Sequence, residues 1–147
     1  DGARGAGSGG TGSDQAVRYL LDTNICIYLI NRRPPSVLAR FYDCSAGDIG
    51  VSIVTALELA YGVEKSGSAR NRLALEKFLA PLEVLPLDEA VLWHYARVRT
   101  ALESQGKTIG ALDMQIAAHA LSLGCTLVTN NMREFERVEG LKLDNWA

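Results

Sequence analysis

Apolar and polar positions occur in blocks along residues 17–147, and the blocks predict strands that alternate with helices. Short apolar runs with β-branched residues predict strands at 17–21, 49–53, 83–87, 126–129 and, at a sheet edge, 141–143. Apolar spacings of three and four predict helices at 24–30, 36–42, 54–65, 68–79, 88–104, 111–123 and 132–135. This order predicts an α/β fold: a mostly parallel central sheet of four to five strands flanked by helices.

Small polar residues precede several of these helices and are expected to cap them. Thr23 or Asn24 is the expected N-cap of the first helix, and Pro34-Pro35 ends that helix. The expected N-caps of three later helices are Ser36, Ser68 and Asp88.

Residues 1–16 differ in composition from the rest of the chain. Residues 1–13 read DGARGAGSGGTGS, which contains no large apolar residue. This composition is typical of a flexible linker or a remnant of an expression fusion, and we expect residues 1–16 to be disordered. Residues 17–147 have the length of a single domain, enough to bury about two thirds of the unfolded surface.

Net charge, cysteine content and the lengths of the apolar runs bear on the binding partners and the cellular compartment of the protein. Fifteen Lys and Arg against 17 Asp and Glu give a net charge of −2, which does not indicate a nucleic-acid binder, although local patches matter more than the sum. Cys26, Cys44 and Cys125 are widely spaced among apolar residues, so we expect small buried side chains in a reducing cytoplasm. No apolar run approaches the length of about 18 residues that a membrane span needs.

Three carboxylates occupy positions where a folded core would favour an apolar residue. Asp22 ends the first apolar run, Glu58 lies within another, and Asp113 lies on the apolar stripe of the helix at 111–123. A buried carboxylate without a partner costs several kcal/mol or becomes protonated. Because the carboxyl ends of parallel strands meet at one edge, these acids can converge there around a cation. Oxygen ligands without a His or Cys cluster favour Mg²⁺ or Mn²⁺.

Each acid also has a simpler interpretation when it is considered alone. Asp22 could cap a helix, Glu58 could be a solvated helix residue, and Asp113 could interact with a helix dipole. The hypothesis of a metal site therefore rests on their combination. His94 and His119 lie within helical stripes without a ligand-spaced partner, so a structural or surface position is favoured over a general base.

Four segments of the chain resemble those of PIN-domain ribonucleases, and more narrowly of the VapC toxins of bacterial toxin–antitoxin pairs. They are LLDTNICIYLI, ALELAYGVEKS, IGALDMQIAAHAL and LVTNNMREFERVEGL, in the order of the family. The resemblance implies a three-layer PIN-like fold and an endoribonuclease dependent on Mg²⁺ or Mn²⁺. It implies catalytic roles for Asp22, Glu58 and Asp113, with the metal on Asp22 and Asp113. It further implies cleavage of structured RNA, often tRNA, inhibition by a VapB antitoxin, and a homodimer.

The last segment departs from the family pattern, in which a fourth acid follows the last core strand. The matching position is Asn131, preceded by Thr129. An amide is a poorer ligand for a hard cation, so these two residues are expected to contact a metal-bound water or an RNA phosphate. The candidates for binding RNA phosphates elsewhere are Arg32, Arg33 and Arg133.

Two alternatives remain open from the sequence. A phosphatase of the haloacid-dehalogenase type also uses an Asp after the first strand, but needs a second Asp two residues later, where this chain has Asn24. A non-catalytic PIN-like module that binds RNA or protein would not need all three acids. Metal-dependent RNA cleavage that is lost with EDTA would separate both from a ribonuclease.

Overall fold

The computed structural model describes residues 17–45 and 47–147, so the linker predicted for residues 1–16 lies outside the described residues. The strands of this part of the chain are β1 (Tyr19–Leu21), β2 (Ile49–Ser52), β3 (Glu83–Leu85), β4 (Thr126–Val128) and β5 (Lys142–Asp144). The helices are α1 (Thr23–Ile30), α2 (Pro35–Tyr42), α3 (Ile53–Ser66), α4 (Ala69–Leu79), α5 (Val91–Ser104), α6 (Ala111–Leu123) and α7 (Met132–Phe135).

The strands form one sheet in the order β3-β2-β1-β4-β5, and every pairing is parallel. The predicted α/β class is therefore confirmed. The first strand of the chain lies at the centre, where Leu21 pairs with Val51 on one side and Val128 on the other. The backbone N–H of Asp22 continues the ladder to the carbonyl of Val128 at 3.0 Å. Asp22 consequently lies at the middle of the carboxyl edge of the sheet.

Helices cover both faces of the sheet and enclose two apolar clusters. Leu20 and Leu21 are fully buried and point to opposite faces, as consecutive strand residues must. Leu20 packs in the cluster under α5 and α6, and Leu21 packs in the cluster under α1, α3 and α4. These two clusters fix the helices that carry polar groups to the carboxyl edge.

Local chemistry explains where two predicted boundaries were wrong. The predicted strand 83–87 ends at Leu85, because Pro86 has no N–H to donate to a ladder. The helix predicted from residue 88 begins at Val91, because the Asp88 side chain accepts a hydrogen bond from Ala90 N at 2.9 Å and holds a turn before the helix.

The predicted caps were correct at one helix and wrong at three others, since the N-cap of α5 is Ala90 and not Asp88. Ser68 caps α4 through Asn71 N at 3.1 Å, as expected. Asp22, rather than Thr23 or Asn24, caps α1. At α2, Pro34 occupies the N-cap position without a side-chain hydrogen bond, so Ser36 lies inside the first turn.

Burial also corrects the expectation that all three cysteines are buried. Cys26 and Cys125 are buried, but Cys44 is partly exposed because it follows the end of α2. Helix α6 is buried on almost every side between α5, α3 and the sheet, whereas Leu112 in its first turn is 43% exposed. Within residues 17–45 and 47–147, no helix combines the length and apolar character required to cross a membrane.

Candidate active site

Asp22 is the most buried acid of the carboxyl edge, with 6% of its surface exposed. Its Oδ1 accepts a hydrogen bond from Ile25 N at 3.0 Å, which caps α1. Its Oδ2 accepts a short hydrogen bond from Thr129 Oγ1, a residue 107 positions later that follows β4. The pKa of Asp22 is raised overall: burial raises it most, the two hydrogen bonds lower it in part, and the charge of Glu58 raises it further. The protein thus supplies donors that favour the ionised form.

Glu58 is held toward the same edge by a residue next to Asp22. Its Oε1 accepts a hydrogen bond from Thr23 Oγ1 at 2.8 Å. Thr23 is the first residue of α1, while Glu58 lies in the second turn of α3. Glu58 is only partly buried, so the sequence-based expectation of a carboxylate enclosed within an apolar run was too strong. Its position beside the edge still brings a second negative charge to Asp22.

Asp113 lies in the first turn of α6 and is close to a carboxylate that the sequence analysis did not include. That carboxylate belongs to Glu134 of α7. Burial first, and then a side-chain hydrogen bond and the charge of Glu134, raise the pKa of Asp113 to about 7, with further contributions from the charges of Glu58 and Asp22. The structure therefore brings the three predicted acids into one electrostatic group and adds a fourth.

Glu134 carries an unusual buried oxygen. Its Oε1 is buried without a hydrogen-bond partner among the described residues. A carboxylate oxygen in that situation costs free energy unless a proton or a cation compensates it. One signal in the sequence could have found Glu134: it is an acid in the first turn of a helix that follows a core strand.

Thr129 and Asn131 differ in burial and in their hydrogen bonds. Thr129 is fully buried and orients Asp22, and its Oγ1 also accepts a hydrogen bond from Asn131 N at 2.9 Å. The Asn131 side chain is exposed and makes no capping bond to α7, where it is the N-cap residue. The predicted contact of these residues with a metal-bound water or a phosphate stays a prediction.

A buried polar pair joins the helices that carry Glu58 and Asp113. The Nδ1 of His119 in α6 lies 2.8 Å from Ser52 Oγ, and Ser52 caps α3 by accepting from Val54 N at 3.1 Å. Both side chains are buried, and burial lowers the pKa of His119. His119 is therefore a structural residue that fixes α6 against the start of α3. His94 is partly exposed on α5.

The three predicted RNA-binding arginines are exposed, but only one lies close to the acids in the chain. Arg133 directly precedes Glu134 in α7. Arg32 and Arg33 follow the carboxyl end of α1, about 12 Å along the helix from Asp22 at its other end. Their role in binding phosphates stays a prediction.

The donor set fits a hard divalent cation. Four carboxylates act on one another, and one buried carboxylate oxygen has no partner among the described residues. No three acidic, His or Cys side chains of the described part of the chain are already close enough to form a complete metal cage. In proteins Mg²⁺ keeps several waters and usually takes only one or two carboxylates as ligands. Asp22 and Asp113 are the expected ligands, with Glu134 beside them.

Comparison with known proteins identifies the family to which the chain belongs. The sequence profile of the PIN domain matches residues 19–141. Over 132 residues the chain is 47% identical to Ribonuclease VapC2 of Haemophilus influenzae, covering 89% of this chain and 99% of that protein. With the same coverage it is 44% identical to the tRNA(fMet)-specific endonuclease VapC of Shigella flexneri.

A solved structure supports the same assignment. The fold is similar to VapBC2 from Rickettsia felis bound to a DNA fragment from their promoter, with a TM-score of 0.83, 40% identity, and coverage of 89% of this chain and 100% of that chain. The chain belongs to the PIN-domain family and, within it, to the VapC ribonucleases. Ribonucleases of the PIN class generally depend on a divalent metal ion. The haloacid-dehalogenase alternative is thereby removed.

Proposed function

We propose that the chain is the toxin of a VapBC pair, an endoribonuclease that cleaves structured RNA, with tRNA as its substrate, and that a VapB antitoxin neutralises it. The observation that carries this proposal is the group of Asp22, Glu58, Asp113 and Glu134 at one edge of a PIN-domain sheet. The relatives named as ribonucleases, and the relative named as a tRNA(fMet)-specific endonuclease, support the substrate class.

The metal is proposed to be Mg²⁺ or Mn²⁺, held by Asp22 and Asp113. A bound divalent cation would keep the carboxylates ionised, lower the pKa of a coordinated water and stabilise negative charge on the phosphate. The chain's own contribution is to position the ligands. Thr129 and the start of α1 hold Asp22, Thr23 holds Glu58, and the contact between His119 and Ser52 fixes the helix of Asp113.

RNA cleavage by the purified chain tests this function. Transfer RNA should be cut in Mg²⁺ or Mn²⁺ and remain intact in EDTA, and sequencing of the new RNA ends should identify one cut site. Cleavage that persists in EDTA would contradict the metal-dependent mechanism. RNA binding without cleavage in either metal would favour the non-catalytic PIN-like module.

A groove beside Glu58 is suitable for binding the antitoxin. A groove of about 280 Å³ lies between α1, α3 and α4, with Thr23, Ile27 and Glu58 in its wall. An antitoxin tail could place an aliphatic or aromatic anchor there and extend an Arg or Lys to the acids. Such a cation competes with the metal for the same negative potential. Excess Mg²⁺ at fixed ionic strength should therefore relieve inhibition by a tail peptide, and inhibition independent of Mg²⁺ would exclude this mechanism.

A homodimer in the cytoplasm completes the proposal. Large apolar side chains are exposed on α3 (Leu57 and Tyr61) and on α5 (Leu92), which is typical of surfaces covered by another protein. Light scattering should give twice the chain mass, and Tyr61→Arg should reduce it to a monomer. A wild-type monomer at micromolar concentration would contradict the dimer. Two buried thiols and an RNA substrate are consistent with the cytoplasm.

A further inference from the structure

A second groove lies outside the acidic edge and combines an exposed tryptophan with arginines. It has a volume of about 730 Å³ and runs along one side of α5, with Leu121 of α6 and the segment after α7 as its opposite wall. We propose that this groove binds a single-stranded segment of the RNA substrate next to the cleaved phosphodiester. The proposal rests on the ribonuclease function above and specifies where substrate outside the reacting group is held.

Trp93 provides the first argument. Its side chain is 71% exposed, whereas the only other tryptophan of the chain, Trp146, is 2% exposed. A large indole exposed to water is costly for a protein that does not use it, and it offers a flat face on which any nucleobase can stack. Arg97 lies one helical turn later on the same side of α5, so a phosphate beside a stacked base can reach it.

The charge of the groove provides the second argument. Arg97 and Arg137 both line it and are exposed, and neither pairs with a carboxylate among the described residues. Glu139 is the one acidic side chain of the lining. On the opposite side of α5, by contrast, Arg99 is paired with Glu103 at 3.0 Å. The groove thus offers a polyanion two guanidinium groups that have no carboxylate partner among the described residues, in a chain whose net charge is negative.

Arg137 connects the groove to the acidic edge. It follows Glu134 by three residues, and its guanidinium donates a hydrogen bond to the carbonyl of Thr108 at 3.0 Å. Thr108 lies in the loop that leads into α6 and Asp113. The end of the groove at Arg137 and Gln105 therefore adjoins the elements that hold the acids, and Trp93 lies at the other end of α5.

The length of the groove gives a prediction about the substrate. Trp93 and Gln105 are 12 residues apart (105 − 93), which corresponds to about 18 Å along a helix. A single strand advances about 3.4 Å per stacked nucleotide, so about five nucleotides span this distance. RNA must therefore extend beyond the cut site by more than this number of nucleotides on one side to reach Trp93, and shorter RNA does not reach it.

Binding to a non-cleaving protein is the first test. In an Asp113→Asn background, fluorescence anisotropy with labelled tRNA should show affinity about tenfold lower for Trp93→Ala and restored for Trp93→Phe. The matched control is Tyr42→Ala, which removes an aromatic side chain that is 62% exposed and lies outside the groove. Arg97→Gln should reduce the salt dependence of binding, whereas Arg99→Gln should leave it unchanged.

Two further measurements use the active protein. RNA should quench the emission of Trp93, so the quenching should vanish in Trp93→Phe, which retains buried Trp146. In cleavage assays, Trp93→Ala should raise KM for an RNA that extends more than about five nucleotides beyond the cut and leave kcat unchanged. For an RNA trimmed to the cut site, Trp93→Ala and wild type should have equal kcat/KM.

The outcomes separate this inference from the proposed function. Metal-dependent cleavage with equal KM for Trp93→Ala and wild type on every RNA overturns the groove as an RNA site and leaves the ribonuclease intact. Unchanged RNA affinity together with an altered mass of the protein in light scattering shows that the groove is a protein interface, which also overturns the inference. Absence of RNA cleavage by wild type in both metals overturns the proposed function itself.

Discussion

Two corners of the molecule each place a carboxylate at the same edge of the sheet. The first lies between β1 and α1, and the second lies where the first turns of α6 and α7 meet. The two corners differ in the groups that surround the carboxylate. Asp22, in the first corner, is the more buried acid and accepts hydrogen bonds from a backbone N–H and from Thr129. Asp113, in the second corner, is less buried and faces the carboxylate of Glu134. The more exposed acid nevertheless has its pKa raised to about 7.

The comparison shows that hydrogen-bond donors offset part of the effect of burial on the pKa of a carboxylate, whereas a neighbouring carboxylate adds to that effect. At Asp22 the two hydrogen bonds lower a pKa that burial still keeps above its usual value. At Asp113 and Glu134 the fold brings two carboxylates together, and a bound cation can compensate the repulsion between them. The Asp22 corner therefore has a structural role as the cap of α1 in addition to its proposed role in the active site, whereas the proposed role of the Asp113 corner depends on a bound cation.

The largest expected effect is the loss of cleavage when either corner loses a carboxylate charge. Asp22→Asn and Asp113→Asn should each reduce RNA cleavage by at least about a hundredfold, since each weakens metal binding and the stabilisation of phosphate charge. Glu58→Gln should also lose cleavage. Circular dichroism should show that the fold is kept. A variant with wild-type cleavage would remove that residue from the active site.

Removal of the whole acidic side chain should change the free energy of unfolding by different amounts at the two corners. Asp22→Ala deletes the cap of α1 and leaves the buried Thr129 hydroxyl unpaired, and should cost about 2–3 kcal/mol. Asp113→Ala should cost less than about 0.5 kcal/mol or stabilise the metal-free protein, because it relieves repulsion with Glu134. Urea unfolding in EDTA measures both. Equal losses for the two variants would contradict the comparison.

Glu134 should contribute to metal binding as the partner of Asp113. Glu134→Gln should weaken Mn²⁺ affinity about tenfold, which is the usual effect of a residue next to the direct ligands. Glu136→Gln is the matched control, since Glu136 is exposed two residues later. Asn131→Asp should tighten binding by a smaller factor. Calorimetric titration decides both, and unchanged affinity in Glu134→Gln would place Glu134 outside the metal site.

Thr129 should affect the Asp22 corner alone. Thr129→Val keeps the shape but removes the hydroxyl that donates to Asp22, and should cost about 1 kcal/mol of stability and reduce cleavage several-fold. Thr129→Ser retains the donor and should stay close to wild type. If Val and Ser behave alike in urea unfolding and in cleavage, the hydrogen bond does not position Asp22.

The smallest expected effect concerns the buried link between the two sides of the site. Burial lowers the pKa of His119, although the charge of Asp88 raises it slightly. Below its ordinary pKa of about 6.5, the unfolded chain binds a proton that the folded chain excludes, so stability falls as the pH falls. The slope from this residue is at most about 1.4 kcal/mol per pH unit. His119→Asn should reduce the difference between the free energies of unfolding measured at pH 7 and at pH 5.5.

The sequence by itself determined the alternation of elements, the parallel sheet and the positions of Asp22, Glu58 and Asp113 along the strands and helices. These features depend on periods of two and 3.6 residues and on local signals such as Pro34 and Ser68, which act over a few residues. Local rules still failed where two signals compete. At the start of α1, Asp22, Thr23 and Asn24 are all able to cap, and the buried position of Asp22 decided the cap.

Only the tertiary structure decided which side chains act together. The pairing of Thr129 with Asp22 spans 107 residues and exists because β1 and β4 are neighbours in the sheet. Glu134 faces Asp113 because α7 follows β4 at the same edge at which α6 begins. Thr23 reaches Glu58 across 35 residues for a similar reason. Sequence periodicity records which face of an element is apolar, but the order of strands in a sheet is set by the packing of all elements together, and that order places the charges.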